Sequence, residues 1–331
     1  LKSLLIEWTM EHTGQEITEM LQNQGLGAHK FNTIQEAITS EQIISREFIN
    51  QVRVNEKNVP VPSVPFIFSS LPRFAQQKLP SSVQSPNAKR ADTSPIRTHS
   101  TDSNEKTALP LEGIRVLDFG QFVAVPFAAR WLAALGADVI LVESQFNPRI
   151  GRAGLAGADS VPGRNRIAAF NKLFQGQRSI SLNLQTQKAR EIVHDLARIS
   201  DVIVDNYSTG MMSRWGLAYE DIREINPRLI SVSLGAFGRT GPLKNYTGLH
   251  SIINAVSGLG EVTGYPGGHG RLLGPFYPDV ISSAFVTAAV LAALHHREKT
   301  GQGEFVDVSM AECLMTLLME PLLKMTGSGK E

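Results

Sequence analysis

From Leu111 onward, short and nearly continuous apolar runs alternate with segments of helical pattern, and this alternation limits the fold more than any other feature of the chain. Ile114–Phe119, Ala137–Val142, Ser179–Leu184, Asp201–Asp205 and Leu229–Leu234 read as strands, with helices over Pro126–Leu135, Gln187–Ile199 and Tyr219–Ile225 between them. Strands that are apolar on both faces must be covered on both faces, which predicts a parallel, Rossmann-like α/β sheet flanked by helices. Further on, Val280–His296 reads as a long alanine-rich helix, Phe305–Val308 as a strand and Ala311–Lys324 as another helix.

Ahead of this domain the texture differs. In residues 1–75, Thr13-Gly-Gln-Glu16 has the form of a capping box before Ile17, Met20 and Leu21 at helical spacing, and Gly25 ends that helix. Ser40 is placed to cap a helix carrying Ile43, Ile44, Phe48 and Ile49, and the prolines of Val59–Phe68 require an extended chain. Residues 76–110 are almost entirely polar, too poor in apolar groups to offset the entropy of ordering, and read as a flexible linker. The sequence thus divides into a small α+β segment (1–75), a linker (76–110) and an α/β domain (111–331). It opens on Leu1 without a methionine, which reads as a piece of something longer.

Composition narrows the function classes. A formal charge of +1 gives no broad field to attract nucleic acid. No apolar run approaches the ~20 residues of a membrane span. The single cysteine, Cys313, cannot pair within the chain, and a reducing, cytoplasmic setting is expected. No Cys/His grouping suggests a metal, and the adjacent His295 and His296 point about 100° apart on a helix.

In a parallel sheet, ligands bind at the carboxyl ends of the strands. The first such loop, Gly120–Pro126, is not GxGxxG, which counts against a dinucleotide, and Gly327–Lys330 lacks the rest of a phosphate loop. Asn206 and Tyr207 close a strand, where they serve either a ligand or an Asx-type turn with a packed ring. Arg214, one turn on, either neutralises a phosphate or is solvated. His250 is either a base or a structural histidine. Asp279 precedes Val280, where aspartate is a favoured helix N-cap and where the helix dipole also favours the ionised carboxylate of a nucleophile.

The stretches Leu111–Phe119, Leu135–Glu143, Arg178–Asn183, Asn226–Ile230, Gly238-Arg-Thr-Gly-Pro242 and Arg297–Gly303 with Val306–Val308 together resemble the family III CoA-transferases, a group that includes formyl-CoA and carnitine-CoA transferases and α-methylacyl-CoA racemases. The resemblance implies transfer of coenzyme A from an acyl-CoA to a carboxylate acceptor, with Asp279 attacking the thioester and passing through an aspartyl-CoA thioester. It implies coenzyme A contacts at Ala124, Asn206, Tyr207 and Arg214, no metal, and an interlocked dimer or an intramolecular pseudo-dimer. Val125, Gln177 and Ser208-Thr209 depart from the residues usual in the family, and Leu249 stands where racemases carry a catalytic histidine. Racemisation, or a non-catalytic scaffold that binds coenzyme A, are the alternatives. Trp8, Thr13–Glu16, Asn32–Ala37, Arg46–Phe48 and Val61–Ser69 resemble the C-terminal end of a member, so the chain reads as the junction of a tandem fusion.

Overall fold

The computed structural model describes residues 2–54, 57–73, 108–144 and 167–328. Nearly all of the expected linker lies outside the described residues. The first segment contributes helices α1 (Lys2–Met10), α2 (Gly14–Asn23), α3 (Ile34–Ile38) and α4 (Glu41–Ser45), then strands β1 (Ile49–Val54), β2 (Lys57–Pro62) and β3 (Phe66–Phe68). The remainder runs β4 (Arg115–Asp118), α5 (Ala124–Ala134), β5 (Asp138–Glu143), α6 (Ala168–Leu173), β6 (Arg178–Ser181), α7 (Gln187–Arg198) and β7 (Val202–Asp205). It continues α8 (Met211–Arg214), α9 (Tyr219–Ile225), β8 (Ile230–Gly235), α10 (His250–Val256), α11 (Tyr277–Thr300), β9 (Glu304–Ser309), α12 (Met310–Met315) and α13 (Met319–Ser328).

Seven strands form one sheet in the order β3-β9-β8-β7-β4-β5-β6, parallel except for β3. The chain winds outward from β4 in both directions, which makes the gap between the ends of β4 and β7 the switch point where such sheets hold ligands. Both faces are covered. On one, Leu132, Val139, Val204, Ile230, Val286 and Val306 join a core that takes in α5 and α11; on the other, Leu117, Val193, Ile203 and Ile222 pack beneath α7 and α9.

The expected strands and helices lie within a few residues of their observed limits, with informative exceptions. The last helix is broken by a 3-10 turn at Thr316–Leu318, and Pro321 falls in the first turn of the second half, where its missing N–H costs nothing. Helix α11 has 24 residues and is long and apolar enough, by length and composition, to cross a membrane, contrary to the sequence expectation. Over half of its most apolar stretch is buried against the protein, as a core helix requires. The expected capping box is formed, with Thr13 and Glu16 satisfying each other's main-chain N–H groups, and Thr33 and Glu36 form a second. Ser40 precedes α4 as expected, but its hydroxyl donates to Ala37 O rather than capping, and Phe48 and Ile49 lie beyond that short helix.

The first segment is built into the sheet. Strand β3 pairs antiparallel with β9, Phe66 opposite Val308 and Phe68 opposite Val306. The Arg46 side chain is wholly buried, with its Nε 2.5 Å from Glu312 Oε1 and one Nη 2.5 Å from Asp307 Oδ2, and Arg73 reaches the other Glu312 oxygen at 2.6 Å. Burial opposes the Arg46 charge, but Glu312 and Asp307 outweigh it and raise its pKa. Room for this arginine comes from Gly238, whose φ is +85°; a Cβ there would lie 2.3 Å from the guanidinium.

Removing one partner of a buried ion pair leaves the others without compensation, a loss of about 3–5 kcal/mol. Arg46→Met is therefore expected to lower stability by about that amount in urea denaturation. Gly238→Ala, which adds a strained φ and a clash, should cost at least 1 kcal/mol more than an alanine placed at exposed Gly274.

Candidate active site

At the switch point the first loop folds back on the end of β7. The Asn206 side chain clasps the main chain of Gln121 from both sides, accepting its N–H at 2.6 Å and donating to its carbonyl at 3.0 Å. Gln121 Nε2 in turn lies 2.5 Å from Tyr207 Oη. Tyr207 N–H donates to Asp205 Oδ1 at 3.1 Å, so the Asx-type turn is present, and the tyrosine ring meets Trp215 edge-on with centroids 5.0 Å apart.

Beyond this clasp, the main-chain N–H of Ala124 stands near Asp279 and favours its ionised form. Asp279 is not the N-cap of α11. The helix begins two residues earlier, at Tyr277, because Pro278 is tolerated in a first turn, and Phe276 takes the cap position with a left-handed φ of 66°. Asp279 is thus the third residue of the helix, 8% exposed, in the first turn, where its own main-chain N–H favours the carboxylate. Burial pushes its pKa up to about 6, opposed by the charge of His250 and by hydrogen bonds from its own N–H and that of Ala124.

A cavity of about 250 Å³ holds Asp279 with Asn206, Tyr207, Arg239, Lys244 and His250. The His250 ring lies 5.4 Å from that of Phe276, and neighbouring Leu249 also lines the cavity. Of the residues singled out in the sequence, Asn206, Tyr207, His250 and Asp279 line this one space, whereas Ala124 is fully buried, does not line it and bears only on Asp279. Arg214 does not. It is exposed at the end of α8 and lines an adjoining cleft of about 370 Å³ with Gln121, Glu143, Asn183 and Trp215. Tyr207 is a wall of both.

The sequence reading missed Arg239 and Lys244. Arg239 extends from the loop after β8, 3.3 Å from Asp205 and 2.8 Å from Ser233 Oγ, while its own N–H donates to Asp307 at 2.7 Å. Burial raises the pKa of Asp205, and Arg239 works against that rise. Among the described residues no group of three or more His, Cys, Asp or Glu side chains is placed to hold a metal ion.

A carboxyl whose pKa rises on folding binds its proton more tightly in the native state. Its effect on stability is therefore most favourable below pH 3.8 and is lost as pH climbs to about 6. Asp279→Asn is expected to be more stable than the parent at pH 7 by up to about 3 kcal/mol, with the gap closing below about pH 4 in denaturant titrations.

Residues 1–83 and 111–331 match the family described as CoA-transferase family III. The succinate–glutarate CoA-transferase of Agrobacterium fabrum is 33% identical over 223 residues, covering 67% of this chain and 56% of that protein. The acetyl-CoA:oxalate CoA-transferase of Acetobacter aceti is 33% identical over 230 residues, covering 67% and 56%. Among solved structures, a CaiB/BaiF family protein from Brucella suis superposes with a TM-score of 0.63 at 30% identity, covering 68% of this chain and 59% of that one. The chain spans about half the length of the curated relatives it matches.

Proposed function

The chain belongs to CoA-transferase family III, and from that premise we propose that it transfers coenzyme A from an acyl-CoA to a carboxylic acid with Asp279 as the nucleophile. The observation that carries the reading is the seat of Asp279: a buried carboxylate in the first turn of α11 that lines a cavity shared with Asn206 and Tyr207 from the end of β7. With a pKa of about 6 it is roughly nine-tenths ionised at pH 7, yet poorly solvated, which suits a nucleophile.

An Asp279 oxygen attacks the thioester carbonyl carbon, the carbon–sulfur bond breaks, and coenzyme A leaves as thiolate from a mixed anhydride. The thiolate adds to the Asp279 carbonyl of that anhydride and expels the first acid, leaving an aspartyl-CoA thioester. The acceptor carboxylate then displaces the thiolate to form a second anhydride. Return of the thiolate to the acceptor's carbonyl releases the new acyl-CoA and regenerates Asp279. The position of Asp279 at the N-terminal end of α11 favours negative charge on the departing aspartate.

Coenzyme A is taken to span both clefts, with Tyr207 between them, Arg214 available to phosphate, and Asn206 acting through Gln121 rather than through the ligand. The names of the matching proteins pair coenzyme A with succinate, glutarate, malate, citramalate or oxalate, and a small dicarboxylic acid is the acceptor class proposed for this chain. Completion of the site by a partner subunit, or by a second fused unit, belongs to the same reading.

His250 supports a second reading. It shares the cavity with Asp279, and such a pair can remove and return the proton next to a thioester carbonyl. Incorporation of deuterium from solvent into an acyl-CoA without any acceptor acid would favour that reading over transfer.

Incubation with acyl-CoA and hydroxylamine is expected to leave a hydroxamate on Asp279 and nowhere else. Asp279→Ala is expected to abolish transfer, and full activity in that variant would refute the proposal. Because attack needs the carboxylate, kcat should fall about tenfold per pH unit below about 6, read from a pH–rate profile.

A further inference from the structure

The stretch from Leu234 to His250 supplies most of the lining of the Asp279 cavity, including Arg239, Lys244 and Tyr246. Between the end of β8 and the start of α10 it has no helix or strand, so no ladder of its own fixes it. Its main chain is gripped by two glutamines from the other end of the sequence. Gln42 Nε2 donates to Phe237 O at 2.7 Å and to Thr240 O at 2.8 Å, and its Oε1 accepts the Leu243 N–H at 2.7 Å. Gln22 Nε2 donates to Thr247 O at 2.9 Å while its Oε1 accepts the Thr247 N–H, also at 2.9 Å.

Each carboxamide presents a donor and an acceptor side by side, as a peptide group does, and so stands in for a neighbouring strand. Both glutamines are buried, and neither lines the cavity. The fit at Gln42 is close enough that a Cβ on Gly241 would lie 2.5 Å from its Oε1.

We infer that Gln22 and Gln42 are positioning residues for the Asp279 cavity: by fixing the loop at Phe237–Leu243 and at Thr247 they set the affinity for acyl-CoA, from a segment none of whose described residues lines the cavity. The inference rests on the reading of that cavity as an acyl-CoA site. Leucine at either position keeps the bulk and removes the paired hydrogen bonds, freeing the loop that carries Lys244 through His250.

The test measures succinyl-CoA binding by calorimetry to the full chain and to its Gln22→Leu, Gln42→Leu and Ile34→Ala variants, with melting temperatures recorded for all. Ile34 packs in the same segment through apolar contacts and serves as a control for general loosening. Expected are at least a tenfold rise in Kd for each glutamine variant, faster hydrogen exchange at the Leu243 or Thr247 amide, and a Kd within twofold of the parent for Ile34→Ala. Unchanged Kd in Gln22→Leu, or an equal rise in Ile34→Ala at similar melting temperature, would overturn the inference while leaving the site reading intact. A parent chain that binds no succinyl-CoA would overturn both.

Discussion

Arg46 joins the first segment to three other parts of the chain at once. Its guanidinium sits without solvent between Glu312 at the start of α12, Asp307 on β9 and Thr240 in the loop after β8. Carrying a guanidinium and two carboxylates out of water is expensive, so the arrangement stabilises only as a complete set. The second arginine, Arg73, and the main-chain N–H of Arg239 add further bonds at Glu312 and Asp307, although one Nη of Arg46 and the Nε and other Nη of Arg73 are buried without a hydrogen-bond partner among the described residues. Asp307 is therefore shared: one oxygen anchors the first segment, and the other fixes the loop whose arginine enters the cavity of Asp279. Sheet edge, segment and site are held by one cluster of charges, and the Gly238-Arg-Thr-Gly-Pro242 motif supplies the space it occupies.

Asp279 shows the opposite use of a buried charge. Little nearby fully compensates it, and folding makes the carboxylate harder to ionise. The first turn of α11 and the Ala124 N–H lower that cost without abolishing it. A carboxylate that is costly to bury and easy to reach from a cavity is poorly explained as a structural cap, since an N-cap gains by having its charge satisfied. The cost falls on stability, and in the proposed transfer the benefit falls on the thioester that Asp279 attacks.

Strands β4, β5, β7, β8 and β9 were legible because burial on both faces leaves an apolar run between turn residues, independent of distant contacts. The site was legible by topology: Asn206 and Tyr207 end a strand, and Asp279 begins a helix. What could not be read locally was which partner each group meets. The apolar spacing of Ile17, Met20 and Leu21 suggested the buried face of α2, yet the buried residues are Thr18 and Gln22, because that face meets main-chain groups rather than an apolar wall. Asn206 faces a loop 85 residues earlier rather than open space. The start of α11 lies three residues ahead of the expected Val280, at Tyr277, since Pro278 is accommodated in the first turn. Arg239 and Lys244 lie in a loop without periodicity, where only the folded chain shows which side chains turn toward Asp279.

Strand β3 closes the sheet by pairing with an edge made much later in the chain. Ser69 and Glu304, which hydrogen-bond where the two strands meet, are 235 residues apart. At about 5–20 residues per second a ribosome takes roughly ten to fifty seconds to synthesise that interval. For that time Phe66 and Phe68 have left the ribosome before β9 exists to receive them, while helices such as α7 already have their local contacts. Pairing of β3 with β9 therefore waits on the whole of that interval, and a nascent chain of this kind keeps an aromatic, strand-forming segment open to chaperones while the interval is made.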